Sequence, residues 1–159
     1  MNGYHKRTYR RIGDIFDDFR FMMRNRQRIR AAMRLIDPAF RERLMLVVTE
    51  VNGCRYCAYH HARVALSEGL SQEDIDALLR GTVEHCPPEQ AVAMLYAQHW
   101  AETEGVPDQA ARAKVLETYG EEKTQAMELF LRMITMGNHM GNTFDYFLYR
   151  ISGGRLMRR

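Results

Sequence analysis

The sequence predicts an all-α fold, a single-domain helical bundle of about six or seven helices. Apolar residues recur at helical spacing along most of the chain, and no alternating strand pattern extends beyond a few residues. Glycine and proline fall between these periodic segments. With 159 residues, 46% of them apolar, the chain can form one sizeable core, so we expect a single domain over residues 1–159.

Caps and helix breakers set the predicted bounds of each element. Pro38 disfavours helical geometry in the residue before it, so one helix ends ahead of the proline and the next begins with it. Gly69 can adopt the left-handed conformation that ends many helices, and Ser71 is typical of a helix start. The predicted helices span residues 12–36, 38–52, 54–68, 71–80, 87–104, 107–120 and 121–151.

Gly137 and Gly141 interrupt the apolar stripe of the last predicted helix. Two interpretations fit this pattern. The glycines mark either a break in the helix or a place where another helix, including one from a neighbouring subunit, approaches closely. Asn138 lies between them and would either line a pocket or cap such a break.

Basic residues are concentrated at the two ends of the chain. The formal net charge is only +3, but ten Lys or Arg and three Asp fall within residues 1–34, and a basic tail covers residues 152–159. We interpret residues 1–36 as a basic amphipathic helix with a solvated face, because apolar residues recur through it at helical spacing. These residues are Ile12, Ile15, Phe16, Phe19, Met22 and Met23.

The same composition argues against several classes of partner. The aromatic residues near the amino end follow a helical stripe and form no stacking platform, so we predict no nucleic-acid partner. No segment approaches the roughly 20 apolar residues that cross a bilayer, and residues 1–11 do not resemble a signal sequence. We therefore expect a cytoplasmic protein with no membrane partner. Three cysteines in such a chain argue against a structural disulfide framework.

Cys54 and Cys57 lie three residues apart at the predicted start of the third helix. Unpaired backbone N–H groups and the helix dipole stabilise a thiolate there, and the thiolate is the reactive form of cysteine. Residues at this spacing face one side of a helix, so the two sulfurs can cycle between dithiol and disulfide. His61 lies one turn beyond Cys57, where an imidazole can accept the thiol proton. The pattern predicts covalent thiol chemistry.

Glu42 is predicted to meet His61 across a helical hairpin. The second and third helices are joined by a very short turn, so they should run antiparallel. Glu42 precedes Gly53 by 11 residues and His61 follows it by 8, which places them roughly 16 and 12 Å from the turn. A glutamate side chain can span the difference. The carboxylate would then orient the imidazole and form a proton relay with it.

A metal site is the main alternative for this cysteine pair. It would use Cys54, Cys57 and a histidine, but a fourth ligand is not evident. His60, His85 and Cys86 could be proposed, although none forms a second closely spaced ligand pair of the usual kind.

Two neighbours of the predicted relay are secondary candidates. Glu50 follows Glu42 by eight residues, about 80° away around the helix, so the two need not share a face. His60 points about 100° away from His61, which favours a surface role.

The arrangement of Glu42, the cysteine pair and His61 resembles the motif of the alkylhydroperoxidase D branch of the carboxymuconolactone decarboxylase family. The spacing of twelve residues from Glu42 to Cys54 matches, as does a histidine four residues after Cys57. The likeness is strongest over residues 37–79. It implies a helical bundle and an alkylhydroperoxidase-like antioxidant oxidoreductase.

The resemblance also implies a role for each motif residue. In that family the second motif cysteine attacks a hydroperoxide and becomes a sulfenic acid, while the first supplies a proton and then forms the disulfide. These are Cys57 and Cys54 here, with His61 and Glu42 as the proton relay. The resemblance implies no bound cofactor, a dithiol reductant such as a lipoyl-bearing protein, and a homotrimer or homohexamer.

The resemblance is incomplete at Tyr56, where the best-known peroxidase branch has a histidine. Tyrosine is a much weaker acid than imidazolium and cannot replace its charge near neutral pH, so the peroxidase rate and the choice of reductant stay open. One alternative is a non-catalytic oligomeric binding or scaffold protein with a metal or structural cysteine pair. Another is decarboxylation, which in that family does not depend on a CxxC pair.

Overall fold

In a computed structural model, described over residues 4–83 and 85–155, the chain is all-α, which confirms the predicted fold class. No strand occurs among these residues. A 3-10 turn, Pro88–Gln90, precedes the fifth α-helix. The α-helices are α1 (Ile12–Leu35), α2 (Pro38–Asn52), α3 (Arg55–Ser67), α4 (Gln72–Leu78), α5 (Ala91–Glu102) and α6 (Gln109–Ile151).

Local signals set the ends of α2 and α4 as predicted. The Asp37 carboxylate accepts a hydrogen bond from the Phe40 amide at 3.0 Å, and a proline fills the first turn of α2, where no N–H is needed. Gly53 ends α2 in the left-handed conformation, with φ 65°. The Ser71 hydroxyl accepts a hydrogen bond from the Asp74 amide at 3.0 Å and caps α4. The tight link at Gly53 makes α2 and α3 a hairpin.

The last two predicted helices form one long element with a kink. Gly120 has φ 77° and ψ 167°, outside the helical region, and bends the chain there. Beyond it, α6 runs without interruption to Ile151 and includes both Gly137 and Gly141. Of the two interpretations of these glycines, a helix break is therefore excluded.

The core is built around α2, which packs against α3, α5 and α6. Leu44 and Val48 of α2 are fully buried and belong to one apolar cluster with Met94 of α5 and Phe130 of α6. Burial of apolar surface is the main driving force for this packing. Since α2 also carries Glu42, that carboxylate is fixed to the most enclosed helix of the bundle.

The face through which α1 packs differs from the predicted apolar stripe. Met22 of that stripe packs against the core, together with Phe21 and Ile29, which the stripe did not include. Four residues of the stripe are more than half exposed. They are Ile12, Phe16, Phe19 and Met23.

Residues 4–11, called the N-terminal strap below, have no helical structure and lie along α6 and the end of α5, so the predicted amphipathic helix over residues 1–36 was wrong for this segment. The Tyr4 hydroxyl donates a hydrogen bond to the Asn142 carbonyl at 2.7 Å, and the Tyr9 amide donates to the Thr143 hydroxyl at 2.9 Å. Arg7 donates to the carbonyl oxygen of Ala101. The amino end of the chain is thus attached to its last helix.

The predicted basic tail over residues 152–159 is described only as far as residue 155, and its remainder lies outside the described residues. Over the ranges 4–83 and 85–155, no helix combines the length and apolar character needed to span a bilayer.

Candidate active site

The two motif cysteines lie at the junction of the α2–α3 hairpin. Cys54 is the N-cap residue of α3 and is 1% exposed, whereas Cys57, in the first turn, is half-buried. Both are free thiols, and the Cys57 thiol donates a hydrogen bond to the Cys54 sulfur. The two sulfurs therefore lie side by side on one face of α3, with Cys57 the more accessible of the two.

Gly137 and Gly141 of α6 face these sulfurs. A Cβ atom on Gly141 would lie 2.6 Å from the Cys54 sulfur, and one on Gly137 would lie 3.7 Å from the Cys57 sulfur. Favourable nonbonded contacts lie at about 3.5–4.0 Å, so only the first of these would be a clash. The glycines therefore mark a close approach of another helix, and within this chain that helix is α3.

A hydrogen bond from the Cys57 thiol, helped by the amides at the amino end of α3, lowers the pKa of Cys54 to about 6. The hydrogen bond from Cys57 is the largest cause and outweighs burial, which acts in the opposite direction. The backbone amides of Cys57 and Tyr56, and the charge of Lys6, lower the pKa further. A thiolate at Cys54 is favoured near neutral pH.

Cys57 lies in the opposite electrostatic environment. Its hydrogen bond to Cys54 raises its pKa and burial adds to the rise, whereas the Asn138 side chain lowers it. Asn138 is fully buried in mid-helix, accepts a hydrogen bond from the Asn52 amide at 3.0 Å and donates one to the Thr49 hydroxyl at 3.1 Å. The helix does not break at Asn138, so the predicted capping role is excluded, and its side chain instead contacts α2 and the Cys57 thiol. These opposite shifts favour one proton and one negative charge on the cysteine pair near neutral pH.

Glu42 and His61 meet across the hairpin. His61 Nδ1 lies 2.7 Å from Glu42 Oε2, and Arg41 Nε donates a hydrogen bond to Glu42 Oε1 at 3.2 Å. Burial alone would raise the pKa of Glu42, but the hydrogen bonds and charges of His61 and Arg41 outweigh it and lower the pKa. An ionised carboxylate only accepts hydrogen bonds, so Nδ1 of His61 carries a proton and Nε2 is left with a lone pair when the ring is neutral.

The secondary candidates lie outside this group. A Cβ atom on Gly81 would lie 3.6 Å from the Glu50 carboxylate, and burial together with the charge of Glu102 raises the pKa of Glu50. His60 is exposed, and its ring meets the ring of His61 edge-on at 5.0 Å. Glu50 thus borders a different turn of the chain, and His60 lies on the surface.

The metal alternative can be tested against the same geometry. Over residues 4–83 and 85–155, no three side chains of the His, Cys, Asp and Glu types lie close enough together to hold a metal ion. The residues searched include His60, His85 and Cys86, which were the candidates for the remaining ligands beside the cysteine pair.

Asp145 is a buried charge beside the site that the sequence prediction missed. Its side chain is 0% exposed, with Oδ1 2.8 Å from Arg55 Nη2 and Oδ2 3.4 Å from Lys6 Nζ. Asp145 follows Asn142 by three residues and Asn138 by seven, and all three are fully buried. Polar residues at helical spacing within an apolar helix are the signal that could have identified this cluster.

Tyr56, the residue that departs from the family motif, is 38% exposed. Its hydroxyl accepts a hydrogen bond from Arg55 at 3.0 Å, and its ring lies 5.9 Å from that of Phe144. Tyr56 therefore belongs to the outer rim of the site, next to the exposed side of α6.

A cavity of about 500 Å³ lies along a different face of α6. The N-terminal strap, the start of α1 and residues including Trp100, Arg132 and His139 line it. None of the four motif residues, the two cysteines with the glutamate and histidine, borders this cavity. The cavity and the thiol pair thus lie in separate places.

Together, the fold and the site define an all-helical domain with two contacting thiols at a helix start, placed against α6 and accompanied by a carboxylate–imidazole pair. Among family models, that of the carboxymuconolactone decarboxylase family matches residues 19–102, more than half of the chain. The chain belongs to this family, in agreement with the motif resemblance. The match ends before α6 and begins after the N-terminal strap. Neither a curated protein nor a solved structure gives a significant match.

Proposed function

We propose that the protein is a CxxC-dependent thiol peroxidase and disulfide oxidoreductase, an alkylhydroperoxidase-like antioxidant enzyme. The observation that carries this proposal is the contact between two free thiols, of which Cys54 is buried with a lowered pKa and Cys57 is accessible. Membership of the family supports the proposal, because the family includes alkylhydroperoxidases as well as decarboxylases.

The first half-reaction oxidises Cys57. The proton of the pair moves from Cys57 to the Cys54 thiolate, and the Cys57 thiolate then attacks the terminal oxygen of a hydroperoxide. The O–O bond breaks, the Cys57 sulfur becomes a sulfenic acid, and Cys54 gives its proton to the leaving alkoxide. The products are an alcohol and a Cys54 thiolate.

The second step forms the disulfide. The Cys54 thiolate attacks the Cys57 sulfur and displaces hydroxide, which leaves as water after gaining one proton from solvent. In this proposal His61 delivers that proton through Nε2, and Glu42 keeps the ring oriented through Nδ1. A dithiol reductant, by resemblance a lipoyl-bearing protein, then restores both thiols by two exchange reactions.

We further propose that the chain works as a homotrimer or homohexamer in the reducing conditions of the cytoplasm. Four large apolar residues recur at helical spacing on the exposed side of α6, a pattern that suits a subunit interface. They are Met140, Phe144, Phe147 and Ile151. Size-exclusion chromatography with light scattering measures the number of subunits. A monomer at all concentrations would refute the proposed oligomer.

Thiol counting tests the enzymatic proposal. We expect mild hydroperoxide to remove two thiols per chain, measured with a chromogenic disulfide, and a dithiol to restore them. Cys57→Ser should abolish this loss, whereas Cys54→Ser should accumulate a sulfenic acid that a dimedone probe captures. Cys86→Ser is the matched control and should leave the loss of two thiols unchanged.

Two results would overturn the proposal. Unreactive thiols together with one zinc per chain would favour a binding or scaffold protein with a metal-bound cysteine pair. A sulfenic acid that persists in Cys57→Ser but vanishes in Cys54→Ser would reverse the roles of the two cysteines.

A further inference from the structure

We infer that Lys6 of the N-terminal strap is a positioning residue for the thiol pair: its ammonium group stabilises the Cys54 thiolate, and buried Asp145 holds it in place. This inference rests on the proposed function of the pair and adds a residue to it. Lys6 and Asp145 both lie outside the segment that matches the family model, so the contribution comes from the two ends of this chain.

The Lys6 side chain lies across the turn that carries the first cysteine. A Cβ atom on Gly53 would lie 3.8 Å from both Cγ and Cε of Lys6, and Gly53 directly precedes Cys54. The aliphatic stem of Lys6 therefore covers the hairpin turn, and the side chain is only 32% exposed. A charge that is partly withdrawn from water acts more strongly on a neighbouring thiolate than a fully solvated one does.

Asp145 anchors the ammonium group from the other side. Its carboxylate is 0% exposed, so both of its oxygens need partners in the protein. Arg55 binds Oδ1 at 2.8 Å, and Lys6 lies 3.4 Å from Oδ2. If Lys6 turned away to solvent, Oδ2 would lose its cationic partner.

Residues on both sides of Lys6 are also attached to α6. The Tyr4 hydroxyl donates to the Asn142 carbonyl at 2.7 Å, and the Asn142 amide donates to the Arg7 carbonyl at 3.0 Å. The strap segment that carries Lys6 is thus held against α6, and the ion pair with Asp145 holds the ammonium group.

The charges around Cys54 leave a net positive field. Lys6 and Arg55 share the single carboxylate of Asp145, so these three groups carry a net charge of +1. Burial, followed by the charges of Asp145 and Cys54, raises the pKa of Tyr4 to about 12, so its phenol is neutral at pH 7. Burial raises the pKa of Tyr56 as well, so its phenol is also neutral at pH 7, and Cys57 is protonated when Cys54 is ionised. Lys6 itself lowers the pKa of Cys54.

The test is a thiolate titration of full-length Lys6→Gln, recorded as ultraviolet absorbance between pH 4 and 10. A Cys86→Ala background confines the signal to the motif thiols. We expect the lower thiol pKa to rise by about 0.5–1 unit in Lys6→Gln and to stay near the parent value in Lys6→Arg. Lys123→Gln, which removes an exposed lysine elsewhere on α6, is the matched control and should cause no shift. Added salt should reduce the difference between Lys6→Gln and its parent.

A reduction potential provides a second readout, since a less stable thiolate makes the dithiol a stronger reductant. A full unit of pKa corresponds to a tenfold change in equilibrium, about 30 mV for this two-electron couple. A correctly folded Lys6→Gln protein with the parent pKa and potential would refute the inference. Neither measurement uses a peroxide, so loss of the peroxidase proposal and loss of the Lys6 inference are separate outcomes.

Discussion

Two glycines of α6 face the thiols, and we expect their substitution by alanine to have different effects on stability and on disulfide formation. A methyl group at Gly141 would lie 2.6 Å from the Cys54 sulfur and 3.3 Å from Cδ2 of Tyr56. A methyl group at Gly137 would lie 3.7 Å from the Cys57 sulfur, an ordinary contact distance, and Gly137 is exposed. Gly141→Ala is therefore the perturbation and Gly137→Ala its matched control.

The magnitudes follow from two terms. Alanine stabilises a helix interior relative to glycine by about 0.5–1 kcal/mol, and both variants gain this term. In Gly141→Ala the Cys54 sulfur must also retreat by about 1 Å to reach an ordinary contact, and overpacking of this kind costs about 1–3 kcal/mol. Gly137→Ala should thus be more stable than the parent, and the two variants should differ by about 1–3 kcal/mol.

Urea denaturation of the reduced proteins measures the stability difference, and stopped-flow oxidation with a hydroperoxide measures disulfide formation. We expect Gly141→Ala to form the disulfide about tenfold more slowly or worse, because a misplacement of about 1 Å is costly for a reaction between fixed groups. Gly137→Ala should react at the parent rate. Equal stabilisation of both variants, with equal oxidation rates, would refute the close approach of α6 to Cys54.

Other predictions concern the charged and buried polar groups of the site. Glu42→Gln should lower peroxide turnover at least 100-fold, since general acid–base groups contribute about 10²–10⁴; Glu50→Gln on the same helix is the control, and an equal loss in both would contradict the relay. Thiolate absorbance of the reduced motif thiols should rise with a midpoint near pH 6, because the pKa of Cys54 is lowered to about 6; a midpoint at the ordinary thiol value would contradict this. A lowered pKa stabilises the folded state at high pH, so the reduced protein should gain stability from pH 6 towards the ordinary thiol value of 9.0, and Cys54→Ser should lose this gain. Asn138→Ala should reduce the free energy of unfolding by about 2 kcal/mol, because it leaves buried hydrogen-bonding partners unpaired; parent-like thermal stability would contradict this.

The hairpin that carries the site could be predicted because its signals are local. Pro38 and Gly53 set the ends of α2 by their own backbone preferences. Residue counting from the turn predicted that Glu42 could reach His61, and the two side chains lie 2.7 Å apart. Their roles in the reaction remain proposals.

The features that depend on distant packing could not be predicted. Ion pairing of Lys6 with Asp145 joins residues 139 positions apart, and no local pattern links them. Exposed Phe16 and Phe19 show a second limit, because apolar periodicity identifies a helical face but does not say whether that face meets the core. The sequence could not decide between a helix break and a close helix contact at Gly141. A close contact requires a partner whose position the sequence alone does not give.

The attachment of α6 to the site also fixes an order of events during synthesis. Arg55 and its carboxylate partner Asp145 are 90 residues apart, so a ribosome adding about 5–20 residues per second needs roughly 5–20 s to supply α6 after the hairpin has been made. During that interval the nascent Cys54 and Cys57 have no glycine-lined helix beside them and meet whatever oxidant is present. A reductant kept in the medium during expression and refolding would prevent them from being linked before the last helix closes over them.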